Sequence, residues 1–270
     1  MGRVWQLNQN SEGVLKHALS ENCYVFTTKT VSGGVFYMPA KGDLSGDTFE
    51  VEESDGETLT VIVSDAKGHG AGAWRTQQQV SEGVQNVKHA FVAGNVRQLE
   101  DVVFDLDSRL EGLNEQLALT VAYSSRNKDL RVLNFAENAV LLYDRSNARF
   151  IVTPESDINV DNGGKLGWLS MFRDSARQEI GRALRTPVRT VAKGDKLVLA
   201  TDGVYGIDNE GELESSSSYL YFHIYYAIRY SPRTIVNSIN GWASRNAAKR
   251  ILEKDLRHED DYTLVVLEYL

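Results

Sequence analysis

At 270 residues, 42% hydrophobic and 24% charged, the chain can bury a full core as one large or two small globular domains, and its composition is not that of a disordered segment. A net charge of −8 argues against the basic surfaces that nonspecific binding to nucleic acid or anionic membrane rewards. The single cysteine, Cys23, rules out an intrachain disulfide, and there is neither a signal-peptide core nor a run of ~20 apolar residues, so the expectation is a soluble, cytoplasmic protein.

Residues 1–21 carry one helical turn around Val14, Leu15 and Ala18 and read as a docking tail ahead of a single domain over 22–270. Asn22 to Thr30 and Gly34 to Pro39 read as strands joined at Ser32-Gly33-Gly34. Next come Gly46 to Glu53 and Thr58 to Asp65, joined by Ser54-Asp55-Gly56, whose Asp-Gly pair is a strong hairpin signal. Counting outward from that turn brings Asp47 level with Asp65, within about one residue of register.

Gly68-His69-Gly70 then breaks the strand, and Val80, Val84, Val87 and Phe91 fall at helical spacing. Gly94-Asn95 ends that helix, and Val96, Leu99, Val103, Leu106, Leu110 and Leu113 form the stripe of a second. Both stripes are core, and His89 reads as a packed or surface histidine because no ligand set lies near it in sequence.

A second antiparallel meander is expected at Leu117 to Ser124, Leu130 to Phe135, Ala139 to Tyr143 and Arg149 to Thr153. Pro154 to Arg177 looks loop-rich, a place for a lid or a substrate-recognition insertion. Val188 to Val191 and Lys196 to Ala200 follow as strands, the second running into Thr201-Asp202-Gly203. The Tyr- and Phe-rich stretch from Glu212 to Tyr230 reads as a buried helix, and Pro232, Ile235, Ile239 and Trp242 mark another. Asp260-Asp261 leads the last strand, which ends at Glu268. No linker or repeat divides the chain, so the expected fold is α+β: two packed antiparallel sheets with helices outside.

Asp47, Asp65, Asp202 and Asp260 each stand at the tip of an expected strand. If the strands of Asp202 and Asp260 are antiparallel neighbours, those two acids meet at one sheet edge as Asp47 and Asp65 do at theirs. Carboxylates crowded together repel, and the remedies are a raised pKa or a bound cation. An oxygen-only set without clustered His or Cys selects Mg²⁺ or Mn²⁺ over zinc, and such ions activate water towards phosphorus. The glycine turn also admits two rival readings. A dinucleotide-binding turn calls for an acid at the end of a second strand about 20 residues on, where a long helix follows instead. A purely structural turn is the second.

These motifs also resemble a known family. Gly46-Asp47-Thr48-Phe49-Glu50-Val51 is similar to the Gly-Asp-x-Tyr-Asp element of the SpoIIE/RsbU-like branch of PPM-type (PP2C-like) metal-dependent serine/threonine protein phosphatases. Ser64-Asp65-Ala66-Lys67-Gly68-His69-Gly70 resembles its Gly-Asp-x-x-Gly-His-Gly, Thr201-Asp202-Gly203-Val204 its Thr-Asp-Gly-Val, and Asp260-Asp261-Tyr262-Thr263 its Asp-Asp-x-Thr. All four occur in family order between roughly Val35 and Leu270.

The resemblance implies a four-layer α-β-β-α sandwich around two Mn²⁺ or Mg²⁺ ions, with room for a third. It implies that Asp65 bridges both ions, that the Ala66 carbonyl binds one, that Asp202 and Asp260 complete the second, and that Asp47 orients water or joins the third ion. It further implies direct in-line attack of metal-activated water with no phosphoenzyme. Lys67 is a candidate phosphate-binding group and His69 a candidate general acid. Phe49 and Ser64 depart from the family's Tyr and Gly. The implied substrate is a phosphorylated protein, a small STAS-type anti-anti-sigma factor in bacterial partner-switching, handled by a free-standing phosphatase. A catalytically idle PPM-like binding module and a carboxylate-metal hydrolase of small phosphoesters are the alternatives.

Overall fold

Strands with apolar residues on both faces can be buried only between layers, and this chain has enough of them for two sheets. The computed structural model describes residues 3–6, 18–20, 22–39, 44–54, 57–68, 70–135, 138–152, 165–167, 169–185, 187–205, 228–241 and 261–270. The first sheet comprises β1 (Arg3–Gln6), β5 (Asp47–Ser54), β6 (Thr58–Ala66), β7 (Leu117–Ser124), β8 (Asp129–Phe135) and β11 (Arg189–Thr190), side by side in that order. The second comprises β2 (Ala18–Ser20), β3 (Cys23–Thr27), β4 (Val31–Met38), β9 (Ala139–Asp144), β10 (Arg149–Val152), β12 (Lys196–Ala200) and β13 (Tyr262–Tyr269), in the order β10-β9-β12-β13-β4-β3-β2. Every pairing among these strands is antiparallel.

Period-two alternation sorts the side chains into three cores. Val61 and Val63 of β6, Val265 and Leu267 of β13, and Leu197 and Leu199 of β12 meet between the sheets. Ile62, Leu119, Val121, Leu133 and Phe135 face the other way, against α1 (Gly70–Ala93), α2 (Val96–Leu113) and α3 (Arg173–Arg185). Leu264, Val266, Val198 and Phe36 cover the outer side of the second sheet, packed on Val204 of α4 (Asp202–Tyr205) and on Ile235, Val236 and Ile239 of α5 (232–241). The result is the expected α-β-β-α order of layers.

Four local expectations are corrected. Neither meander stays in one sheet: β3-β4 and β9-β10 join the second, while β5-β6 and β7-β8 join the first. Adjacent hairpins therefore face each other across the core, which buries more apolar surface than one flat four-stranded array. The presumed tail supplies strands, with β1 pairing β5 from Arg3↔Glu53 to Gln6↔Glu50 and β2 pairing β3, so Ala18 is in a strand and not a helical turn.

The turn before β4 lies at Thr28 to Thr30, where Thr28 N donates to Val31 O at 2.8 Å. Gly33 lies within β4, paired with Phe26 on β3 and Leu267 on β13, and any side chain there would run into the Phe26 ring. Finally, Leu169–Phe172 forms a 3-10 turn and Arg173–Arg185 is α3, so the end of the expected loop is helical. The stretch 153–164 and most of the aromatic stretch Glu212 to Tyr230 fall outside the described residues, as does Trp242. Among the described residues, no helix is long and apolar enough to cross a membrane.

Candidate metal centre

The alternation that fills the inter-sheet core also decides what stands at its rim. On β5, Phe49 and Val51 are inner residues, so Asp47 shares their face; on β6, Val61 and Val63 place Asp65 likewise. Two residues beyond Leu199 on β12 lies Thr201, and before Val265 on β13 come Thr263 and Asp261. Four apolar rows from two sheets thus end at one rim in oxygen-bearing side chains.

The contacts there close the gap between the sheets. Asp47 and Asp65 are direct cross-strand partners, as expected from the hairpin. Asp47 is 2% exposed and its Oδ2 accepts the Thr201 hydroxyl at 2.7 Å. Gly46 N donates to Asp261 Oδ2 at 2.6 Å, and Ala66 N donates to Gly46 O at 3.1 Å. Gly46 admits no side chain: a Cβ would lie 2.6 Å from Ala73 Cβ and 2.9 Å from Ala66 O. β12 and β13 are antiparallel neighbours, with Thr201 N donating to Thr263 O at 3.0 Å, so Asp202 follows β12 at the same rim at which Asp261 precedes β13.

The outer face of β5 and β6 is tied to α1. Thr48 and Ser64 hydroxyls lie 2.7 Å apart, Ser64 Oγ donates to Gln77 Oε1 at 3.1 Å, and Gln77 Nε2 donates to Gly46 O at 2.6 Å. This is what Ser64 does in place of glycine. Deeper along α1, the Lys88 ammonium donates to Glu50 at 2.6 Å and Glu52 at 2.9 Å. Burial alone would lower the pKa of Lys88, but the hydrogen bonds it donates to both carboxylates outweigh it and raise it above the ordinary lysine value. Phe49 is 2% exposed with its ring centroid 6.3 Å from that of Tyr37, so the residue in place of the family tyrosine is a packing residue.

Of the expected site residues, Asp47, Asp65, Ala66 and Asp202 occupy this rim, Ala66 fully buried and Asp202 opening α4. Lys67 is exposed in the turn after β6, its backbone N donating to Gln116 O at 3.0 Å. His69 and Asp260 lie outside the described residues. His89 is exposed on α1, with no part in the rim. Among the described residues, no three His, Cys, Asp or Glu side chains are grouped so that they could hold a metal ion. The cross-strand carboxylates of Asp47 and Asp65, with the Ala66 carbonyl next in sequence, have the hard-oxygen character that fits Mg²⁺ or Mn²⁺.

Sequence reasoning placed Thr201 and Asp261 within motifs without giving either a role, and passed over Gln77. Thr201 and Asp261 were accessible from alternation, two residues beyond the inner rows of β12 and β13. Gln77 carried no such signal, since a glutamine within an amphipathic helix is ordinary.

A groove opens between α1 and β5 beside Asp47, edged by Trp74, Gln78 and Ser81 on the helix and Thr48 on the strand.

A search of curated protein sequences returns no match. Solved structures share the fold at low identity. A crystal structure of RsbX in complex with magnesium aligns at TM-score 0.57 and 15% identity, covering 92% of this chain and 100% of that one. The RsbU and RsbW domains of Rv1364c from Mycobacterium tuberculosis align at 0.57 and 16%, covering 89% and 60%. The phosphatase domain of SpoIIE from Bacillus subtilis aligns at 0.51 and 13%, covering 90% and 94%. The model of the stage II sporulation protein E (SpoIIE) family matches residues 55–270, which takes in the Asp65, Asp202 and Asp260 motifs, and the chain belongs to that family.

Proposed function

We propose that this protein is a Mn²⁺- or Mg²⁺-dependent phosphatase of phosphoserine and phosphothreonine in proteins, working in the cytoplasm on a small STAS-type anti-anti-sigma factor. The observation that carries the reading is the Asp47↔Asp65 pair, two carboxylates set opposite each other at a rim that Asp202 also reaches. Family membership supports it, as do the fold shared with the SpoIIE phosphatase domain and the magnesium held by RsbX. The RsbU and RsbW domains joined in one neighbour favour a partner-switching setting.

Asp47, Asp65, Asp202 and the Ala66 carbonyl are the groups that would hold the ions, with Asp260 joining them by resemblance. Bound there, divalent cations lower the pKa of coordinated water and offset charge on phosphoryl oxygens. The chain's own residues do the rest. Burial and the Thr201 hydrogen bond keep Asp47 in one orientation. Lys67, exposed in the turn after Asp65, offers a cation to an approaching phosphate. His69, ahead of α1, is the proposed proton donor to the serine or threonine leaving group. The groove between α1 and β5 gives an extended phosphorylated segment a path to the rim.

The test compares phosphate release from p-nitrophenyl phosphate, a phosphorylated STAS protein and free nucleotides, with added Mn²⁺ and with EDTA. The expected result is Mn²⁺-dependent release, fastest from the phosphoprotein and abolished by EDTA. Release from none of the three is the outcome for an idle binding module, and a preference for nucleotides is that for a small-phosphoester hydrolase. Turnover that survives EDTA overturns the metal-dependent assignment.

A further inference from the structure

We propose that Thr201 is a positioning residue of this centre: its hydroxyl fixes the Asp47 carboxylate from the opposite sheet, so cation affinity depends on a side chain that binds no cation. The inference rests on the function proposed above.

Thr201 Oγ1 makes two hydrogen bonds with opposite sense. It accepts the backbone N–H of Thr263 at 3.0 Å and donates to Asp47 Oδ2 at 2.7 Å. A hydroxyl has one proton, and because the Thr263 N–H occupies an acceptor position, the proton is directed to the carboxylate. At 2.7 Å this is a well-formed O–H···O hydrogen bond between two buried side chains.

The backbone of Thr201 is held equally firmly. Its N–H donates to Thr263 O at 3.0 Å and its carbonyl accepts Val204 N at 3.1 Å, closing the turn that begins with Asp202. Thr201 and Thr263 are fully buried and Asp47 is nearly so, which leaves little solvent to substitute for a lost bond. One residue thereby fixes the placement of two acids: Asp47 through its side chain and Asp202 through its backbone.

Asp261 makes a matching contact one residue earlier, accepting Gly46 N at 2.6 Å. The Gly46-Asp47 corner is therefore gripped by the ends of both β12 and β13. Carboxylates held this way lose less rotamer freedom on meeting a cation, which is how supporting hydrogen bonds raise affinity.

Calorimetric Mn²⁺ titration of the full chain tests this. Thr201→Val keeps the shape and removes the donor, and should weaken Mn²⁺ binding about 10-fold or more, the range seen when partners of metal ligands are lost. Thr201→Ser restores the donor and should bind within about threefold of wild type. A double-mutant cycle separates positioning from general damage: in an Asp47→Asn background, Thr201→Val should change binding by less than about twofold.

Thr201→Val binding Mn²⁺ like wild type, or weakening Asp47→Asn by the full factor, overturns the inference. If circular dichroism shows Thr201→Val unfolded, Thr201→Ala, which also lacks the donor and buries no extra methyl, is held to the same criterion. A wild-type chain that takes up no Mn²⁺ overturns the proposed function together with the inference, whereas normal wild-type uptake with an unaffected variant overturns the inference alone.

Discussion

Asp47 and Asp65 stand directly opposite each other across β5 and β6, both on the face turned towards the second sheet. Directly opposed residues of an antiparallel pair have Cβ atoms about 5 Å apart, so these carboxylates repel when no cation lies between them. Asp65→Asn should therefore stabilise the metal-free protein by about 0.5 kcal/mol, roughly 1–2 °C in Tm for a chain of this size. Mn²⁺ should raise the Tm of the wild type by mass action and leave the variant unmoved. Thermal melts in EDTA and in excess Mn²⁺ check both halves. An Asp65→Asn protein that Mn²⁺ still stabilises fully would remove Asp65 from the centre.

Gly46 lies between that pair and α1, and its backbone is engaged on both sides: N–H to Asp261, carbonyl to Gln77 and Ala66. A methyl group there meets Ala73 Cβ at 2.6 Å and Ala66 O at 2.9 Å. Gly46→Ala should cost about 1–3 kcal/mol, the usual range for overpacking a tight site, and should shift the chain that carries Asp47 enough to cut activity steeply. Ala73→Gly in the same protein relieves the helix contact but not the Ala66 carbonyl, so urea unfolding should show partial recovery. Full recovery of stability and kcat would mean that the strand contact is slack.

How much of this was legible in the sequence depended on how local the cause was. The β5-β6 register followed from Asp55-Gly56 and a period of two, both contained within 20 residues, and the Asp47↔Asp65 pair came out of it. The helices α1, α2 and α5 were equally readable, because a repeat of three to four apolar residues needs no partner to be seen. The partition of hairpins between sheets was not, since β4 and β5 are consecutive in sequence yet belong to different layers, and only tertiary packing decides that. For α3, the spacing of Ala176, Ile180, Ala183 and Leu184 was present, but the glycine-rich stretch before it set the expectation of a loop. Thr201 was read as part of a family motif, and its tie to Asp47, 154 positions away in sequence, has no local signature.

Lys88 joins α1 to β5 through a buried ion cluster in which Glu50 also accepts Gln85 Nε2 at 2.8 Å. Removing the cation leaves a buried carboxylate uncompensated, so Lys88→Met should destabilise by about 3–5 kcal/mol, and Lys88→Met with Glu50→Gln should recover part of that loss. The pH dependence has a definite sign. Because the folded pKa of Lys88 is raised, the stability it contributes is complete below the unfolded value of about 10.4 and is lost as pH rises through the folded value. Urea midpoints for the wild type should fall as the pH rises above about 10, and the Lys88→Met variant should lack that component of the decline. Equal alkaline slopes in the two proteins would exclude Lys88 as its source.

At the far end of β5, Glu53 repeats on a smaller scale what Asp47 does at the rim, since it also lies on the inner face and ties the first sheet to the second. Its Oε2 accepts Lys29 N at 2.9 Å, Thr30 N at 3.1 Å and Thr30 Oγ1 at 2.9 Å, all in the turn between β3 and β4. Burial pushes the carboxyl pKa up, but hydrogen bonds from the Thr28 and Thr30 side chains, together with the Thr30 and Lys29 backbone N–H groups, more than offset it and hold it below the ordinary glutamate value. A depressed folded pKa contributes stability that is present above the unfolded value of about 4.3 and disappears as pH falls through the folded one. Glu53→Gln keeps an acceptor but loses the charge, so at pH 7 it should cost about 1–2 kcal/mol, and the gap between variant and wild type should narrow as the pH falls towards 3. Because Glu53 is at the opposite end of the strand from Asp47, Mn²⁺ affinity and kcat in Glu53→Gln should stay close to wild type. Urea titrations at the two pH values measure the first effect and phosphatase assays the second. A stability gap that is the same at pH 3 and pH 7 would show that the carboxylate charge contributes nothing to the joint between the sheets.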